Sequence, residues 1–446
     1  MADLQDLCAA AVSRGRSGEA VEAFAEESRR TEVRARKGAV EGLTFSESRG
    51  VGVRLVAEGR TGFAWAADPS PDEVATTVER ARENAALAEP DEFNALPEAA
   101  PFEPIDALYR TGQADMGLDR KVGLALGLEQ RATSTDPRVT NCDDVVYGDA
   151  VSRVAIASTL GIDSAYERTD TWCVVVALAV DNGETQTGFS YRIGRELEEL
   201  EWEAVADEAV LRATAMLGAT KPASGNVPIV LDPFAGSSFL GVLAGALSAE
   251  AVQKGRSLFA DLVGQNVGSD AFSLVDDGRE LAGPAAAPFD DEGVPTVRTE
   301  LVTAGVLNGF LHDTYTARRG GTRSTGNASR GGYRTSPGVG TTNFSVSPGS
   351  SPPEELLAQA EGGVLVNDVS GVHSGANAIS GHFSVGATGW RIGAGGERGE
   401  PLREMTIAST IPEMLAGVLA VGNDLRFFSS VGVPTLLIGE MTVAGV

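Results

Sequence analysis

The sequence predicts an α+β protein with two domains, an N-terminal α/β domain over residues 1–220 and a C-terminal β-rich domain over residues 221–446. Three observations support this prediction. The length of 446 residues is that of two or three ordinary domains. Apolar and polar residues alternate between Val21 and Ala67 and glycines interrupt them, which is typical of antiparallel strands joined by tight turns. After the break at Lys221–Gly225, glycine, serine, threonine and valine become frequent.

Hydrophobic spacing and capping residues predict the first elements. Residues 3–14 are expected to form a short helix, and Val21–Ala67 an antiparallel meander. Ser70 is suited to cap the next helix, Pro71–Ala88, since its hydroxyl can accept a hydrogen bond from the first turn. One face of this helix carries the apolar residues Val74, Val78, Ala81 and Ala85.

The rest of the N-terminal domain alternates between helix and strand patterns. The proline-rich stretch Glu89–Pro104 is expected to be irregular. Helices are predicted at Asp115–Ala132 and Glu196–Leu217, next to an antiparallel sheet. The clearest strand patterns are Val139–Tyr147, Val151–Thr159, Trp172–Val180 and Gly188–Arg192.

Beyond the boundary, the strand Val227–Leu231 precedes one clear helix pattern, Gly236–Ala251. Gly241 and Gly245 are four residues apart on this helix, and we expect them to permit the close approach of a neighbouring helix. Short strands separated by glycine turns follow almost to the C-terminus. One side of the helix carries Phe239, Leu240, Leu243 and Leu247, and we expect this apolar helix to be a packing element.

Charge and composition exclude several classes of function. The chain has 36 Lys+Arg and 62 Asp+Glu, a net charge of −26, so its surface repels the phosphates of nucleic acids. The longest apolar stretches are far shorter than the ~20 residues that cross a bilayer, and the acidic N-terminus does not fit a signal peptide. Three cysteines without a CxxC motif favour a reducing compartment. We therefore expect a cytoplasmic protein that binds neither nucleic acid nor membrane.

One segment, His312–Pro353, is basic within this acidic chain. No Asp or Glu occurs between Thr314 and Pro353, although five arginines do, so the rest of the chain carries −31. Arginine suits carboxylates, which favours a loop that binds a carboxylate, a peptide or an acidic partner. The alternative is a solvated flexible loop whose arginines pair with the protein's own acids. The five arginines are Arg318, Arg319, Arg323, Arg330 and Arg334.

Other clusters of polar residues indicate no familiar active site. His373 and His382 are nine residues apart, which matches no metal motif, so hydrogen bonds to the backbone are expected. No serine-hydrolase elbow, phosphate-binding loop or dinucleotide motif occurs. Three acidic clusters stand next to turn residues, which favours solvated turns over a glycosidase-type carboxylate pair. They are Asp143–Asp144, Asp276–Asp277 and Asp290–Glu292.

Two stretches of the C-terminal half resemble the TldD/PmbA family. The first is DDEGVPTVRTELVTAGVLNGFLHDTYTARRGGTRSTGNA, Asp290–Ala328. The second is Gly371–Thr406, with the pattern G-x-H-S-G…S-G-x-F-S-x-G-A-x-G…P-x-x-E-x-T. The resemblance covers nearly the whole chain, and its STGN-centred motif is specific. Shorter matches are Gly50–Val56, Gly62–Ala64, Gly422–Asp424 and Pro434–Gly439.

The resemblance implies a barrel-like C-terminal domain and a bacterial or archaeal protein that works as one of a pair. One partner, the TldD type, resembles a zinc metallopeptidase with an HExxxH helix and a distant cysteine ligand. The other, the PmbA or TldE type, lacks these ligands. The resemblance places Leu240, Gly241 and Gly245 at the HExxxH positions and Phe427–Ser430 at the cysteine segment. Leucine and glycine cannot bind zinc, and glycine cannot act as a base.

We therefore predict a PmbA/TldE-like, non-catalytic subunit of a zinc metallopeptidase that acts in peptide proteolysis or maturation. The chain itself is expected to bind no cofactor, and zinc is expected in a TldD-type HExxxH partner. One alternative is a stand-alone amide or peptide hydrolase of a small-molecule pathway with a non-zinc mechanism. Another is a homodimeric binding or scaffold protein.

No catalytic or metal-binding residue is predicted in this chain. An extended peptide is held mainly through backbone donors and acceptors, which a loop of Gly, Ser, Thr and Asn exposes. Neighbouring arginines can add a grip on a carboxylate or pair with the partner subunit. The residues predicted to face the shared chamber or the partner are Arg318, Arg323, Ser324, Thr325, Gly326 and Asn327.

Overall fold

The computed structural model describes residues 2–375, 377 and 380–445, without the side chains of Ala2, His373 and Ser374. It confirms the α+β fold, with an antiparallel N-terminal sheet and a β-rich, barrel-like C-terminal half. The boundary predicted between residues 220 and 221 falls in an irregular connection between the last N-terminal helix and the first C-terminal strand.

The N-terminal half is built on one antiparallel sheet. Its strands are β1 (Glu19–Arg36), β2 (Ala39–Ala57), β3 (Arg60–Ala67), β4 (Val139–Ser158), β5 (Asp163–Asp181) and β6 (Glu184–Gly194). They are arranged in the order β3-β2-β1-β4-β5-β6, and every neighbouring pair is antiparallel. The predicted meander Val21–Ala67 is confirmed as the first three strands. The two strands predicted between Val139 and Thr159 are one continuous strand, β4.

Helices cover one face of this sheet. They are α1 (Ala2–Val12), α2 (Pro71–Leu87), α3 (Thr111–Ala114), α4 (Leu118–Thr135) and α5 (Trp202–Ala215), with 3₁₀ turns at Asp106–Leu108 and Leu197–Leu200. Ser70 caps α2, and its hydroxyl accepts a hydrogen bond from the Glu73 amide, as predicted. The helix predicted at Glu196–Leu217 is instead interrupted at Glu201, whose φ of 43° lies in the left-handed region.

Period-two alternation separates the two faces of strand β1. Val21 and Ala23 point toward α1 and α2 and are buried there. Glu22 and Phe24 point to the opposite face, where Phe24 packs with Phe289 of the C-terminal half. The two halves therefore meet on the uncovered face of the N-terminal sheet.

The C-terminal half contains a closed barrel. Strands β7 (Gly225–Leu231), β14 (Val364–Ser370), β15 (His382–Ile392), β16 (Arg398–Thr410) and β20 (Leu436–Ala444) form it. Neighbouring strands follow the order β16-β15-β14-β7-β20, and pairing of β16 with β20 closes the ring. Closure leaves these strands without a free edge between them. Strand β17 (Val418–Val421) extends the sheet beside β20.

A second sheet lies next to the barrel. It has the order β10-β9-β8-β13-β19-β18 and consists of β8 (Leu274–Asp277), β9 (Arg298–Thr303), β10 (Val306–Leu307), β13 (Phe344–Val346), β18 (Arg426–Phe428) and β19 (Val431–Val433). A small ribbon pairs β11 (Ala328–Ser329) with β12 (Gly338–Val339).

Helices of the C-terminal half are short. They are α6 (Pro233–Ala246), α7 (Ala249–Gln253), α8 (Thr314–Arg319), α9 (Pro353–Gln359), α10 (Val372–Gly375) and α11 (Ile411–Ala416), with a 3₁₀ turn at Ala394–Gly396. The helix predicted at Gly236–Ala251 is thus two helices, α6 and α7. The chain breaks between them at Ser248, where Leu247 and Ala249 exchange backbone hydrogen bonds with Leu311.

Two further features bear on the cellular expectations. No helix within the described ranges is both long and apolar enough to cross a membrane. Cys8, Cys142 and Cys173 are free and buried, and burial raises the pKa of each thiol to about 12. Such thiols are weak nucleophiles near neutral pH.

Candidate functional site

Helix α6 carries the positions at which the resemblance expects metal ligands in a catalytic relative. Asp232 begins the helix, because its carboxylate accepts a hydrogen bond from the Ala235 amide at 2.8 Å. Leu240 is buried, and the ring of Phe239 lies 5.0 Å from that of Phe383 in the barrel. One side of the helix is therefore held against the barrel core.

The other side of α6 is open. Gly241 and Gly245 are exposed, and a Cβ built on either glycine would meet no atom within 4 Å. The prediction that these two glycines permit close helix packing is wrong, because they lie opposite to the buried face of Phe239. The helix thus presents bare backbone to its surroundings at one expected ligand position, Gly245, and at the expected position of the general base, Gly241.

The segment Phe427–Ser430 lies beside the first half of α6. The Phe428 ring, at the end of β18, is 5.3 Å from the ring of Phe234 in the first turn of the helix. A Cβ on Gly236 would lie 2.8 Å from a methyl carbon of Val433 in β19, so Gly236 is where this helix needs a glycine for close approach. The fold therefore brings the two segments singled out by the resemblance together.

An ionic cluster surrounds the N-terminus of α6 and joins it to the N-terminal half. Glu208 of α5 accepts hydrogen bonds from both terminal nitrogens of Arg426, each at 2.8 Å. Arg212 donates to Glu208 at 2.9 Å and to Asp232 at 3.4 Å. Two arginines and two carboxylates thus connect α5, β18 and α6.

The pKa values of the two carboxylates in this cluster are shifted in opposite directions. Burial raises the pKa of Asp232 to about 7, and the charge of Arg212 offsets this effect only in part. Burial also raises the pKa of Glu208, but hydrogen bonding and charge from Arg426, with Arg212, outweigh it and hold that pKa at about 2. Asp232 is therefore the member of this cluster that titrates near neutral pH.

The basic segment starts next to the end of α6, and two of its arginines join the halves of the chain. Arg330 lies 2.8 Å from Glu22 of β1, and both side chains are 1% exposed. Its guanidinium also lies 4.5 Å from the centre of the Phe24 ring. Arg334 stacks over Trp65 of β3. These contacts are with the protein itself, but Arg330 is buried rather than solvated.

The remaining arginines of the segment lie at or near the surface. Arg318, in α8, donates hydrogen bonds to the backbone carbonyls of Phe93 and Glu92 at 3.2 and 3.3 Å. Arg323 is exposed, and it makes no hydrogen bond or ion pair with any part of the chain that the structure describes. Of the two predicted arginines, Arg323 is the one whose guanidinium is available to another molecule.

Residues Ser324–Asn327 hold the segment in shape. The hydroxyls of Ser324 and Thr325 donate to the His312 carbonyl at 3.1 and 3.2 Å. Asn327 is buried and its amide donates to Asp276 at 2.6 Å. Gly326 has a φ of 71° and would place a Cβ 2.5 Å from the Pro295 carbonyl. The contacts of this motif are therefore structural, while Ser324 and Thr325 remain half-buried.

The acidic clusters include buried groups that the sequence interpretation missed. Asp276, Asp290 and Glu292 are 1%, 6% and 0% exposed, so solvated turns are the wrong prediction for them. Glu292 lies 2.7 Å from Arg54 of β2. Burial and the charge of Glu292 raise the pKa of Asp290 well above its ordinary value. Asp290 accepts hydrogen bonds from three backbone amides, including that of Ala328 at 2.9 Å.

Three family models match this chain over successive ranges. They are described as PmbA/TldA metallopeptidase domain 1 (residues 21–85), central domain (112–217) and C-terminal domain (224–445). The chain belongs to the TldD/PmbA metallopeptidase family.

Members of this family from both branches are similar to the chain. The metalloprotease PmbA of Escherichia coli O157:H7 is 27% identical over 416 residues, which cover 93% of this chain and 89% of that protein. A metalloprotease TldD homologue of Haemophilus influenzae is 26% identical over 441 residues, covering 92% and 89%. Relatives named PmbA and TldD are thus both matched over most of their length.

Solved structures of the family have the same fold. A proposed modulator of a DNA gyrase from Thermotoga maritima aligns with a TM-score of 0.90 and 28% identity, covering 99% of this chain and 100% of that one. TldE from Thermococcus kodakarensis aligns with a TM-score of 0.89 and 23% identity, covering 96% and 97%, which supports the fold.

A catalytic zinc site of this family does not fit the residues present on α6. Leu240 is buried and has no ligating atom, and Gly241 and Gly245 have no side chain. Within the described ranges, no three His, Cys, Asp or Glu side chains are grouped so that they could hold a metal ion.

The histidines do not supply a substitute. His312 is half-buried, and burial lowers its pKa below the ordinary value. Its Nδ1 atom is buried without a hydrogen-bond partner in the described chain. His382 is exposed in β15. The expectation for His373 concerns a side chain that lies outside the described residues.

Proposed function

We propose that this chain is a TldE-type, non-catalytic subunit that pairs with a TldD-type HExxxH subunit to form a zinc metallopeptidase. The proposal assigns the zinc and the general base to the partner, and peptide proteolysis or maturation to the complex. Relatives from both branches are named metalloproteases, which supports the reaction class.

One observation carries this proposal. The open side of α6 consists of bare backbone at Gly241 and Gly245, where a metallopeptidase helix needs ligand and base side chains. Leu240 is committed to the barrel core and is 2% exposed. The helix that would bind zinc in a catalytic subunit therefore still packs against the barrel in this chain, but it carries no ligand or base side chain on its open side.

The open face also suggests what this subunit contributes. A surface without side chains leaves room for an extended peptide, which binds largely through backbone groups. The basic segment begins where Leu311 pairs with Leu247 and Ala249 at the end of α6. We propose that Arg323, which is exposed beside this region, contacts the substrate or the partner subunit, and that Ser324–Asn327 keep its loop in position.

We also propose a cytoplasmic location and no role in binding DNA. The buried free thiols of Cys8, Cys142 and Cys173 support a reducing compartment. The net charge of −26 opposes contact with a polyanion.

The test is co-expression with an HExxxH relative from the same genome, followed by peptide cleavage with each subunit alone and with both together. We expect co-purification, cleavage only by the mixture or strongly enhanced by it, and loss of cleavage on chelation. The matched control is a partner whose HExxxH glutamate is replaced by glutamine, which should associate without cleaving.

Two results would contradict the proposal. Chelator-resistant cleavage that stays with this chain through purification would favour the stand-alone hydrolase. A stable homodimer that neither binds nor stimulates the HExxxH relative would favour a scaffold protein.

A further inference from the structure

A cavity of about 440 Å³ lies between the two halves of the chain, beside strand β18. This volume is within the roughly 300–1,000 Å³ range of small-ligand pockets. Its N-terminal wall comes from the end of β6 and the turn after it, and its C-terminal wall comes from residues 281–284 and 425–427. The proposed function assigns no role to this cavity, although Phe427 of the segment Phe427–Ser430 forms part of its wall.

Three arginines line the cavity together with one acidic residue, Glu199, and apolar side chains. The arginines are Arg192, Arg195 and Arg426, of which Arg426 is already paired with Glu208. Ile193 and Leu425 are half-buried on its walls, and Leu281 at its edge is 48% exposed. Such a lining suits a ligand that has a carboxylate attached to an apolar group, because guanidinium groups bind carboxylates with two parallel hydrogen bonds.

Arg195 is the buried member of this set, with a side chain that is 5% exposed. Its guanidinium donates to Asp170 at 2.8 Å and to the Pro284 carbonyl at 2.8 Å. The same Asp170 oxygen accepts a hydrogen bond from Arg168 at 2.7 Å, so two guanidinium groups share one carboxylate. The Glu199 carboxylate accepts a hydrogen bond from the Arg195 backbone amide at 2.7 Å.

This arrangement leaves the charge of Arg195 incompletely balanced. Burial and the neighbouring charge of Arg168 lower its pKa to about 10, although Asp170 and Glu199 act in the opposite direction. A bound anion would offset the cost of burying this guanidinium. At the rim, Arg192 pairs with Glu201 at 2.6 Å, but the Glu201 side chain is 61% exposed and can be displaced by a ligand.

We propose that this cavity is a binding site for a carboxylate borne on an apolar group, with Arg195 at its base and Arg192 at its rim. The carboxylate can come from the C-terminus of an apolar peptide or from an acidic side chain within one. The binding is a property of the single chain and does not rest on the partner proposed above.

The test uses two probes and the purified full chain. N-acetyl-Leu-Leu with a free carboxylate is compared with its C-terminal amide by isothermal titration calorimetry. N-acetyl-Leu-Asp-Leu amide reports whether an internal acidic side chain is accepted. We expect saturable binding of at least one acid and about ten-fold or greater weakening for the uncharged dileucine amide, since a charge-assisted hydrogen bond is lost.

Substitutions at the cavity edge locate the binding without disturbing the buried arginine. Leu281→Glu should weaken binding of the acid about ten-fold by repulsion, whereas Leu281→Gln, which has the same shape, should change it less than about two-fold. Leu160→Glu adds the same charge at another exposed site and should also have little effect. Equal saturable binding of the dileucine acid and its amide, equal effects of the two Leu281 variants, or no saturable binding of either carboxylate-bearing probe would overturn the proposal.

Discussion

Arg330 and Glu22 are 308 positions apart in the sequence, yet their side chains lie 2.8 Å apart and are each 1% exposed. Arg54 pairs with the same Glu22 at 2.6 Å and with Glu292 at 2.7 Å. Two arginines and two glutamates therefore form a buried network of ion pairs between the N-terminal sheet and the C-terminal half. Through Arg330, the basic segment thus connects the N-terminal sheet with the C-terminal half.

We predict that Arg330→Met destabilises the isolated chain by about 3–5 kcal/mol, because it leaves a buried carboxylate with one partner fewer. Urea denaturation measures this change. The matched control is Arg16→Met, whose partner Glu79 is exposed, and it should alter stability little. Equal effects of the two substitutions would contradict the assignment of a buried network.

The open face of α6 predicts opposite effects for glycines in the same helix. Gly241→Ala and Gly245→Ala should each raise the free energy of unfolding by about 0.5–1 kcal/mol, since alanine favours the helix and meets no neighbour. Gly236→Ala should lower it, because the added methyl would lie against Val433. A loss of stability on substituting Gly241 would show that this face is packed.

A bulky residue on the open face tests its role in the complex. Gly241→Phe should leave the isolated chain folded but reduce cleavage by the mixture with an HExxxH partner. Gly123→Phe is the matched control, because Gly123 is also an exposed helical glycine without neighbours, in α4 of the N-terminal half. If Gly241→Phe and Gly123→Phe leave cleavage equally unchanged, no substrate or partner approaches this side of α6.

Asp232 predicts a specific pH dependence of stability. Its pKa of about 7 in the folded chain lies above the ordinary value of 3.8, so the folded state binds the proton more tightly than the unfolded state. The stability that this group contributes is complete below about pH 4 and falls as the pH rises toward 7. Asp232→Asn keeps a capping side chain, and relative to the wild type it should gain about 4 kcal/mol between pH 4 and pH 8, because the folded and unfolded pKa values differ by about three units.

Glu208 serves as a control, because its contribution to stability should change with pH in the direction opposite to that of Asp232. Its pKa of about 2 lies below the ordinary value of 4.5, so its contribution is complete above pH 4.5 and is lost as the pH falls toward 2. Glu208→Gln should therefore be destabilised relative to the wild type at neutral pH and less so in acid. Parallel pH profiles for the two variants would refute the assigned directions.

The exposed arginine of the basic segment predicts a loss of association without a loss of fold. Arg323→Ala should leave stability unchanged and weaken partner affinity or assisted cleavage several-fold, because its guanidinium has no partner in the described chain. Arg318→Ala removes hydrogen bonds to the Glu92 and Phe93 carbonyls and should affect the position of the loop first. If both variants bind and stimulate the partner normally, the segment is a connector.

The sequence predicted those elements well whose formation depends on residues close together in the chain. Ser70 and Pro71 start α2 by themselves, and alternation interrupted by glycines predicted the meander that contains β1 to β3. The start of α6 was placed three residues late, although Asp232 followed by Pro233 is a readable capping signal. The break after α6 depends on Leu311, which lies far along the chain, and could not be read locally.

In the candidate site, too, local features could be predicted from the sequence, whereas contacts between distant segments could not. The resemblance identified the positions on α6 and in the segment Phe427–Ser430, and the fold brings these segments side by side. The buried charges of Glu22 and Glu292 were missed, because what satisfies each of them is an arginine from a distant segment. A charged residue inside an apolar strand, as at Glu22, was the one signal available in the sequence.

We propose that this chain completes a zinc peptidase whose metal is held by another subunit. The most direct test of this proposal is metal analysis of the isolated chain, the isolated HExxxH relative and the purified complex, together with peptide cleavage by each. We expect stoichiometric zinc only where the HExxxH subunit is present, and cleavage that depends on both chains. Tightly bound stoichiometric zinc in the isolated chain, with chelator-sensitive cleavage by this chain alone, would contradict the account.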